Sequence, residues 1–392
     1  MTLSVIIVNY NVRPFLQLCL CSLRRATRAV DTEVIVVDNG STDGSVEHLA
    51  PLFPEVRFLR TGNGGFARGC NEGLRTASGR YVLFLNPDTV VAEDSLLTAV
   101  RFLEAHPGAG GLGVRMVDGC GRFLRESKRS FPAPLTSLFK LGGLAALFPR
   151  SHLFARYHLG HLDDRKNHAV DVLAGAFLLL PKKVLDQVGS FDEQFFMYGE
   201  DIDLSYRVQQ AGYTNYYLAD TAIIHFKGES TKKGSLNYVR LFYQAMSIFV
   251  RKHYSGSRAG LFRALLQGAI WMRAALSAGA LLLPGRRRAP LPETTRVLVA
   301  AGPEGYASVL RFLKVRGKET TVAGRLEPDA LDTLSGPARA ARATELLFDT
   351  ASVPFKEMIR TMQAETGLRY RFFTGDMIIG SDSSESSGEV LV

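Results

Sequence analysis

The stretch Tyr81-Val82-Leu83-Phe84-Leu85-Asn86-Pro87-Asp88 decides the fold. Its first five residues carry no charge and do not alternate, so they read as a strand buried on both faces, as in the middle of a parallel sheet. Pro87 cannot donate to a ladder, so the strand ends there and Asp88 leaves the sheet. In an open α/β sheet, ligands sit in the crevice at the carboxyl ends of the strands. An aspartate at that place suits a hard divalent ion whose other oxygens come from a diphosphate. Asn-Pro-Asp is also a plain turn sequence, and this stretch alone leaves both readings open.

Working back toward the N-terminus, the same strand-then-polar pattern recurs. Leu3 to Val8 is a β-branched strand ending in Asn9-Tyr10-Asn11, followed by a helix with Pro14 in its first turn. Glu33 to Val37 is a second strand, ending in the loop Asp38 to Ser45, which can offer a carboxylate to a base or ribose and N–H groups to phosphate. That loop can equally serve to turn the chain and cap a helix near Ser45. Val56 to Leu59 is a third strand. After it the glycine-rich run Gly62 to Gly73 lets backbone approach a ligand, and Arg68 within it suits a phosphate. The first 90 residues thus predict β-α-β-α-β-α-β, with right-handed crossovers bringing the polar ends to one edge.

Toward the C-terminus, a helix over about Glu93 to Ala105 and a strand near Gly111 to Val117 lead into an irregular segment, Asp118 to His168. It holds basic and aromatic residues, among them Arg125, Lys128, Arg129 and Tyr157, and its length predicts an acceptor-side cover. Asp171 to Leu180 reads as an extended apolar run, then a helix with Pro181 at its start. Phe191 to Leu204 sets Asp192, Glu193, Glu200, Asp201 and Asp203 among aromatics, an expensive arrangement unless the acids are used or paired. Glu200 and Asp201 fall at a helix start, where the dipole favours a carboxylate. Asp201 is the candidate general base; Glu200 and Asp203 are as readily helix caps. Tyr216 to Ile224 is the last strand of this part, and His225 at its end is an imidazole candidate to stand beside Asp88, better suited to manganese than magnesium.

Composition bounds the rest. With 392 residues the chain predicts two domains, and 46% hydrophobic with 22% charged residues excludes wholesale disorder. A formal charge of +9 favours acidic partners such as phosphates, sugar nucleotides or anionic lipid, while no RNA- or zinc-type motif supports nucleic acid. The four cysteines lack CxxC spacing and read as reduced structural thiols. Residues 1–10 show neither a basic n-region nor a cleavage site, which predicts a cytoplasmic catalytic part.

Leu236 to Tyr254 reads as a helix. Leu261 to Leu283 is largely apolar but interrupted by Arg263 and Arg273, and ends before Arg286-Arg287-Arg288. An arginine near the middle of a spanning helix costs about 2.5–3.5 kcal/mol, so an interfacial helix or hairpin facing anionic lipid is expected, with a buried inter-domain helix as the alternative. From Thr295 a new α/β pattern begins, with a Gly302-Pro303-Glu304-Gly305 turn. The expected division is a catalytic domain over 1–255, an apolar and basic linker over 256–292 and a smaller α/β module over 293–392. The polar tail, Gly380 to Gly388, is expected to be mobile.

The motifs VIIVNYN (Val5 to Asn11), VDNGSTDGS (Val37 to Ser45), NGGFARGCNEG (Asn63 to Gly73), LNPD (Leu85 to Asp88), GAFLL (Gly175 to Leu179), FDEQFFMYGEDIDL (Phe191 to Leu204) and HFKGES (His225 to Ser230), in this order, resemble the family 2 inverting glycosyltransferases, especially bacterial rhamnosyltransferase-like members. The resemblance implies an α/β, A-type nucleotide-sugar fold with a mostly parallel sheet and flanking helices. It also implies that Asp38 contacts the nucleotide base, that Asn9, Asn63, Arg68 and Asn86 line the nucleotide-sugar site, that Asp88 and His225 hold a divalent metal (Mn or Mg), and that Asp201 is the catalytic base. Asn86 stands where the usual paired-acid motif has its first acid. The implied partners are a nucleotide-diphosphate sugar donor and a glycan or polyprenyl-linked acceptor, with peripheral contact at the inner membrane face. The last hundred residues are similar to the Rossmann-like module of sugar-phosphotransferases and sugar-nucleotide dehydratases, although no acidic residue completes a dinucleotide fingerprint.

Two rivals remain at this level. A sugar nucleotidyltransferase also places acids at parallel strand ends, but it needs a basic glycine-rich loop where Val8-Asn9-Tyr10-Asn11 stands. A non-catalytic nucleotide-sugar-binding scaffold has no use for Asp88, Asp201 and His225 together.

Overall fold

The computed structural model describes residues 1–131, 151, 156–227, 236–253, 260, 264, 268, 295–315, 321–382 and 388–391. The first 85 residues alternate as anticipated: β1 (Leu3–Asn9), α1 (Arg13–Ala26), β2 (Thr32–Asp38), α2 (Ser45–Leu52), β3 (Val56–Arg60), α3 (Phe66–Thr76) and β4 (Tyr81–Leu85). Their strands pair in parallel in the order β3-β2-β1-β4. Because β4 lies on the opposite side of β1 from β2, the strand order reverses between them, which opens a crevice at their carboxyl ends. Gly73 of α3 lies against the Ile6 side chain, so the helix seats close on β1 where any larger residue would clash.

β4 differs from its expected setting. Its second neighbour is antiparallel: β8 (Phe177–Pro181), paired Tyr81↔Pro181 through Leu85↔Phe177. The strand is still covered on both faces, with Leu83 and Phe84 fully buried, each contributing about 1.5–3 kcal/mol relative to exposure. Only Phe177 onward is strand, and Asp171 to Ala176, expected to be extended, is mostly irregular.

The chain then adds β5 (Thr89–Val91), α4 (Ser95–Ala105), β6 (Ala109–Val117), β7 (His168–Val170), α5 (Lys182–Val188), α6 (Glu200–Gln210), β9 (Thr214–His225) and α7 (Leu236–His253). The sheet runs β3-β2-β1-β4-β8-β6-β9-β5, with β7 also on β9. β5 follows β4 after only the Asn86-Pro87-Asp88 turn, yet it pairs at the far end of this order. The sheet therefore curls so that its β5 end returns to the carboxyl end of β4, and Asp88 stands in that connection. This is the A-type nucleotide-sugar fold. The apolar faces of α1 and α4 close one core with Leu83 and Leu85. Those of α3, α5 and α6 close another with Val82 and Phe84. The cysteines are free and, apart from half-buried Cys21, buried; burial pushes the Cys19 thiol up to about 12, which suits inert structural thiols.

The C-terminal residues form a second, smaller sheet: β10 (Arg296–Ala300), α8 (Pro303–Val315), β11 (Thr321–Leu326), α9 (Ser335–Ala340), β12 (Glu345–Asp349), α10 (Phe355–Ala364), β13 (Arg369–Phe373), β14 (Ile378–Gly380) and β15 (Glu389–Leu391). The order is β11-β10-β12-β13-β14-β15, parallel through β13 and antiparallel beyond. The tail just past Gly388 returns as β15, an edge strand on β14. The apolar stretch Leu261 to Leu283 lies outside the described residues except for two positions, and among the described residues no helix is long and apolar enough to cross a membrane.

Candidate active site

At the carboxyl ends of β1 and β2 the register sets Asn9 opposite Asp38. Asn9 Nδ2 donates to Asp38 Oδ1 at 2.8 Å and to Ser41 Oγ at 3.0 Å, and Ser41 N donates to Asp38 Oδ2 at 3.1 Å. Both residues are buried, and among the described residues Asn9 Oδ1 has no hydrogen-bond partner. A buried acceptor and an anchored carboxylate side by side can read the donor groups of a nucleoside. The next loop is tied in through Asn39, whose Nδ2 lies 3.3 Å from Asn63 Oδ1 and donates to the Gly65 carbonyl at 3.2 Å. Asn63 Oδ1 accepts from Gly65 N at 3.3 Å, which shapes the glycine-rich bend ahead of α3. Arg68 projects from α3 into solvent, 3.9 Å from Glu72, an exposed pair of little energetic weight that leaves the guanidinium available to a phosphate.

The second group forms where β5 meets β9. Thr89↔His225 pairing and the Phe226 N–H donated to the Asp88 carbonyl at 3.0 Å lay the two residues side by side. Asp88 Oδ1 is 3.4 Å from His225 Nε2, and Asn86 Nδ2 is 3.3 Å from the same nitrogen. Burial works against the Asp88 charge, but the imidazole and the Lys227 N–H outweigh it and hold the carboxyl below its usual range. Lys227 stands in the left-handed region at φ 62 and pairs its ammonium with half-buried Glu126. Two ligands of one octahedral ion stand about 3 Å apart when bonds are about 2.1 Å, so Asp88 and His225 Nε2 fit a shared divalent ion. Among the described residues no third acid, histidine or cysteine joins them.

The third group is at the start of α6. Asp201 Oδ2 accepts from Gly175 N at 3.1 Å and from Arg129 Nη2 at 2.5 Å, and Oδ1 accepts from Ile202 N at 2.8 Å. Arg129 also donates to the Leu173 carbonyl at 2.9 Å, while its own carbonyl accepts from Val172 N at 3.0 Å. Burial opposes the guanidinium charge, yet Asp201 beside it drives its affinity for the proton up. Glu200 is buried and, among the described residues, its Oε2 has no hydrogen-bond partner; burial, with the Asp201 charge, pushes its carboxyl up.

Sequence reasoning left capping open for Glu200 and Asp203; the N-cap of α6 is Gly199, and neither acid caps. Asp203, fully buried, instead accepts from Arg207 Nε at 2.8 Å and lies 2.9 Å from Lys252 Nζ and 2.7 Å from His253 Nε2. Burial raises its carboxyl, but these partners outweigh that and pull it down to about 2. Its support of the fold is in force above the ordinary value of 3.8 and fades as pH falls toward 2. The acid thus pins α7 to α6. Arg129, read only as one basic residue of an irregular segment, is the site residue that sequence reasoning missed. Its sole signal was its place after Lys128 and two residues before Phe131, in the basic and aromatic segment expected to cover the acceptor.

Comparison with known proteins fits this arrangement. Residues 4–189 match the model of glycosyl transferase family 2. Over 301 residues the chain is 30% identical to the N-acetylglucosaminyl-diphospho-decaprenol L-rhamnosyltransferase of Mycobacterium tuberculosis, a match covering 73% of this chain and 96% of that relative. It is 27% identical over 201 residues to the rhamnosyltransferase WbbL of Escherichia coli K12, covering 49% of this chain and 72% of that one. Among solved structures, the mannosyltransferase PcManGT from Pyrobaculum calidifontis aligns over 87% of this chain and 85% of its own, with 19% identity and a TM-score of 0.45. With its motifs at the strand ends of such a sheet and a full-length rhamnosyltransferase relative, this chain is an enzyme belonging to glycosyltransferase family 2.

Proposed function

We propose that the protein transfers a sugar, with rhamnose the leading candidate, from a nucleotide-diphosphate donor to a lipid-linked glycan by a single inverting displacement. The observation that carries this reading is the adjacency of the second and third groups. Asn86, beside His225, donates its N–H to the Ala176 carbonyl at 3.1 Å, and the preceding residue Gly175 donates to Asp201. One backbone step thus separates the diphosphate side of the site from the candidate base.

In this reading Asn9 and Asp38 hold the nucleoside, Asn63, Arg68 and Asn86 line the phosphates and sugar, and Asp88 with His225 are the ligands of a manganese or magnesium ion. When bound, that ion supplies positive charge to the departing diphosphate. Asp201 accepts the proton of the acceptor hydroxyl as its oxygen attacks the anomeric carbon opposite the nucleotide. The Arg129 guanidinium and the Gly175 N–H keep the carboxylate aimed, which lowers the entropic cost of the encounter. The names of the two relatives support rhamnose, and the first supports a polyprenyl-diphosphate acceptor. The +9 charge supports work against an anionic membrane face.

The stereochemistry tests the mechanism. With nucleotide-diphospho-rhamnose and a short-chain polyprenyl-diphosphate N-acetylglucosamine acceptor, proton NMR of the product should show the anomeric configuration opposite to that of the donor. Retention would rule out single displacement.

A further inference from the structure

We propose that the C-terminal module is the back wall of the active site: it holds the β5–β9 junction, and with it the Asp88–His225 pair, through Phe226. This rests on the reading of that pair as the diphosphate side of the site.

The junction is weak by itself. β5 is three residues long and, among the described residues, pairs with β9 alone, so little backbone bonding keeps Asp88 beside His225. Phe226 supplies the link. Its amide bonds the Asp88 carbonyl, and its buried ring meets Phe15 of α1 edge-on at 5.2 Å and Phe372 of β13 edge-on at 5.8 Å. One face of the residue that follows His225 is therefore walled by the module. Phe15, Phe226, Val90 and Phe372 share a single apolar cluster that spans both sheets.

Polar clamps hold the module in that place from the β5 side. The Glu93 carboxylate, two residues past β5, accepts the N–H groups of Phe355 and Lys356 at 2.8 and 2.9 Å, and so satisfies the first turn of α10 from the catalytic part. Arg25 donates to the carbonyls of Thr350, Ala351 and Val353. On the β6 side, Gly121 at φ +77 lies so close to the Met362 carbonyl that no side chain fits between them. These are contacts of a permanent seat: orphan N–H and carbonyl groups of one part are satisfied by buried or half-buried side chains of the other.

The module's own crevice is already filled. At the start of α8, where a Rossmann-type ligand would place a phosphate, the Asp349 carboxylate lies against Gly305 and accepts from Ser352 Oγ at 2.5 Å, and Ser352 Oγ accepts from Gly302 N at 3.0 Å. An anion supplied by the chain itself occupies the place, and its negative charge would repel a phosphate.

Hydrogen–deuterium exchange on the full chain tests this. Arg25→Ala with Glu93→Ala removes both clamps and touches neither Asp88 nor His225. Exchange at 353–358 should rise as the seat loosens, exchange at 222–227 should rise at least tenfold with it, and binding of manganese alone, followed by electron paramagnetic resonance, should weaken about tenfold. Faster exchange at 353–358 with 222–227 unchanged would overturn the proposal. Faster exchange at both with unchanged manganese affinity would uphold the buttress and refute the metal reading of Asp88 and His225. Should 353–358 stay protected, Phe372→Ala removes the ring facing Phe226 directly, and unchanged exchange at 222–227 in that variant would overturn the proposal as well.

Discussion

Asp201→Asn lowers kcat for sugar transfer by about 10³-fold while the affinity for the nucleotide diphosphate stays within about twofold of wild type. A positioned general base contributes typically about 10²–10⁴-fold, and an amide cannot take a proton from the acceptor hydroxyl. Asparagine keeps the size of the side chain, and its carbonyl oxygen can still accept the Gly175 N–H, so α6 should stay in place. The substitution leaves Arg129 without its anion, and breaking a buried pair costs about 3–5 kcal/mol, so activity is compared below the lowered melting temperature. Single-turnover transfer with saturating donor and acceptor, alongside calorimetric nucleotide binding, makes the separation. Wild-type turnover in this variant would remove Asp201 from the chemistry.

Arg129→Gln should lower kcat at neutral pH by about 10²-fold and move the acid limb of the rate profile to higher pH. The groups facing the guanidinium are Asp201 and Glu200 on α6, Tyr157, and Glu126 on its own segment. Burial and the neighbouring Asp201 charge raise the Glu200 carboxyl, and Arg129 opposes that rise. Without the counter-charge the Glu200–Asp201 pair binds protons more tightly, so the ionised base needs a higher pH. Rate should therefore recover partly on going from pH 7 to 9. Arg129→Lys restores the charge without the fork and should return the limb toward its wild-type position. A purely structural arginine would lower the melting temperature and leave the limb where it was; that result would refute its role in holding the base. Acceptor KM read from the same data shows whether the guanidinium also meets the acceptor.

What the sequence disclosed follows from which interactions are local. Asn9 and Asp38 each close an apolar run, and Asp88 comes one short turn after another, so their place at one sheet edge could be read from the run of residues alone. The antiparallel partner of Tyr81 to Leu85 could not, because Phe177–Pro181 carries no mark of direction and lies about 90 residues away. The meeting of Asp88 with His225 depends on Thr89–Val91, too short to show a period. Arg129 sits where no periodicity exists, and its role appears only once Val172 bonds its backbone. Asp203 looked like a site or capping acid because its main partners, Lys252 and His253, come at the far end of a helix about 50 residues on. Nothing in the sequence around Arg25 and Glu93 marks them, and only the docked module shows what they hold. The linker over 256–292, expected at a membrane face, falls almost wholly outside the described residues.

The most direct measurement is calorimetric titration of the full chain with dTDP, UDP and GDP, each with manganese and with EDTA, repeated on Asp88→Ala. One diphosphate should bind tightly with manganese, at least tenfold more weakly with EDTA, and at the weak level in Asp88→Ala under both conditions. Equal affinity with manganese and EDTA, or no binding of any diphosphate to the folded protein, would contradict the placement of the donor's diphosphate at Asp88 and His225.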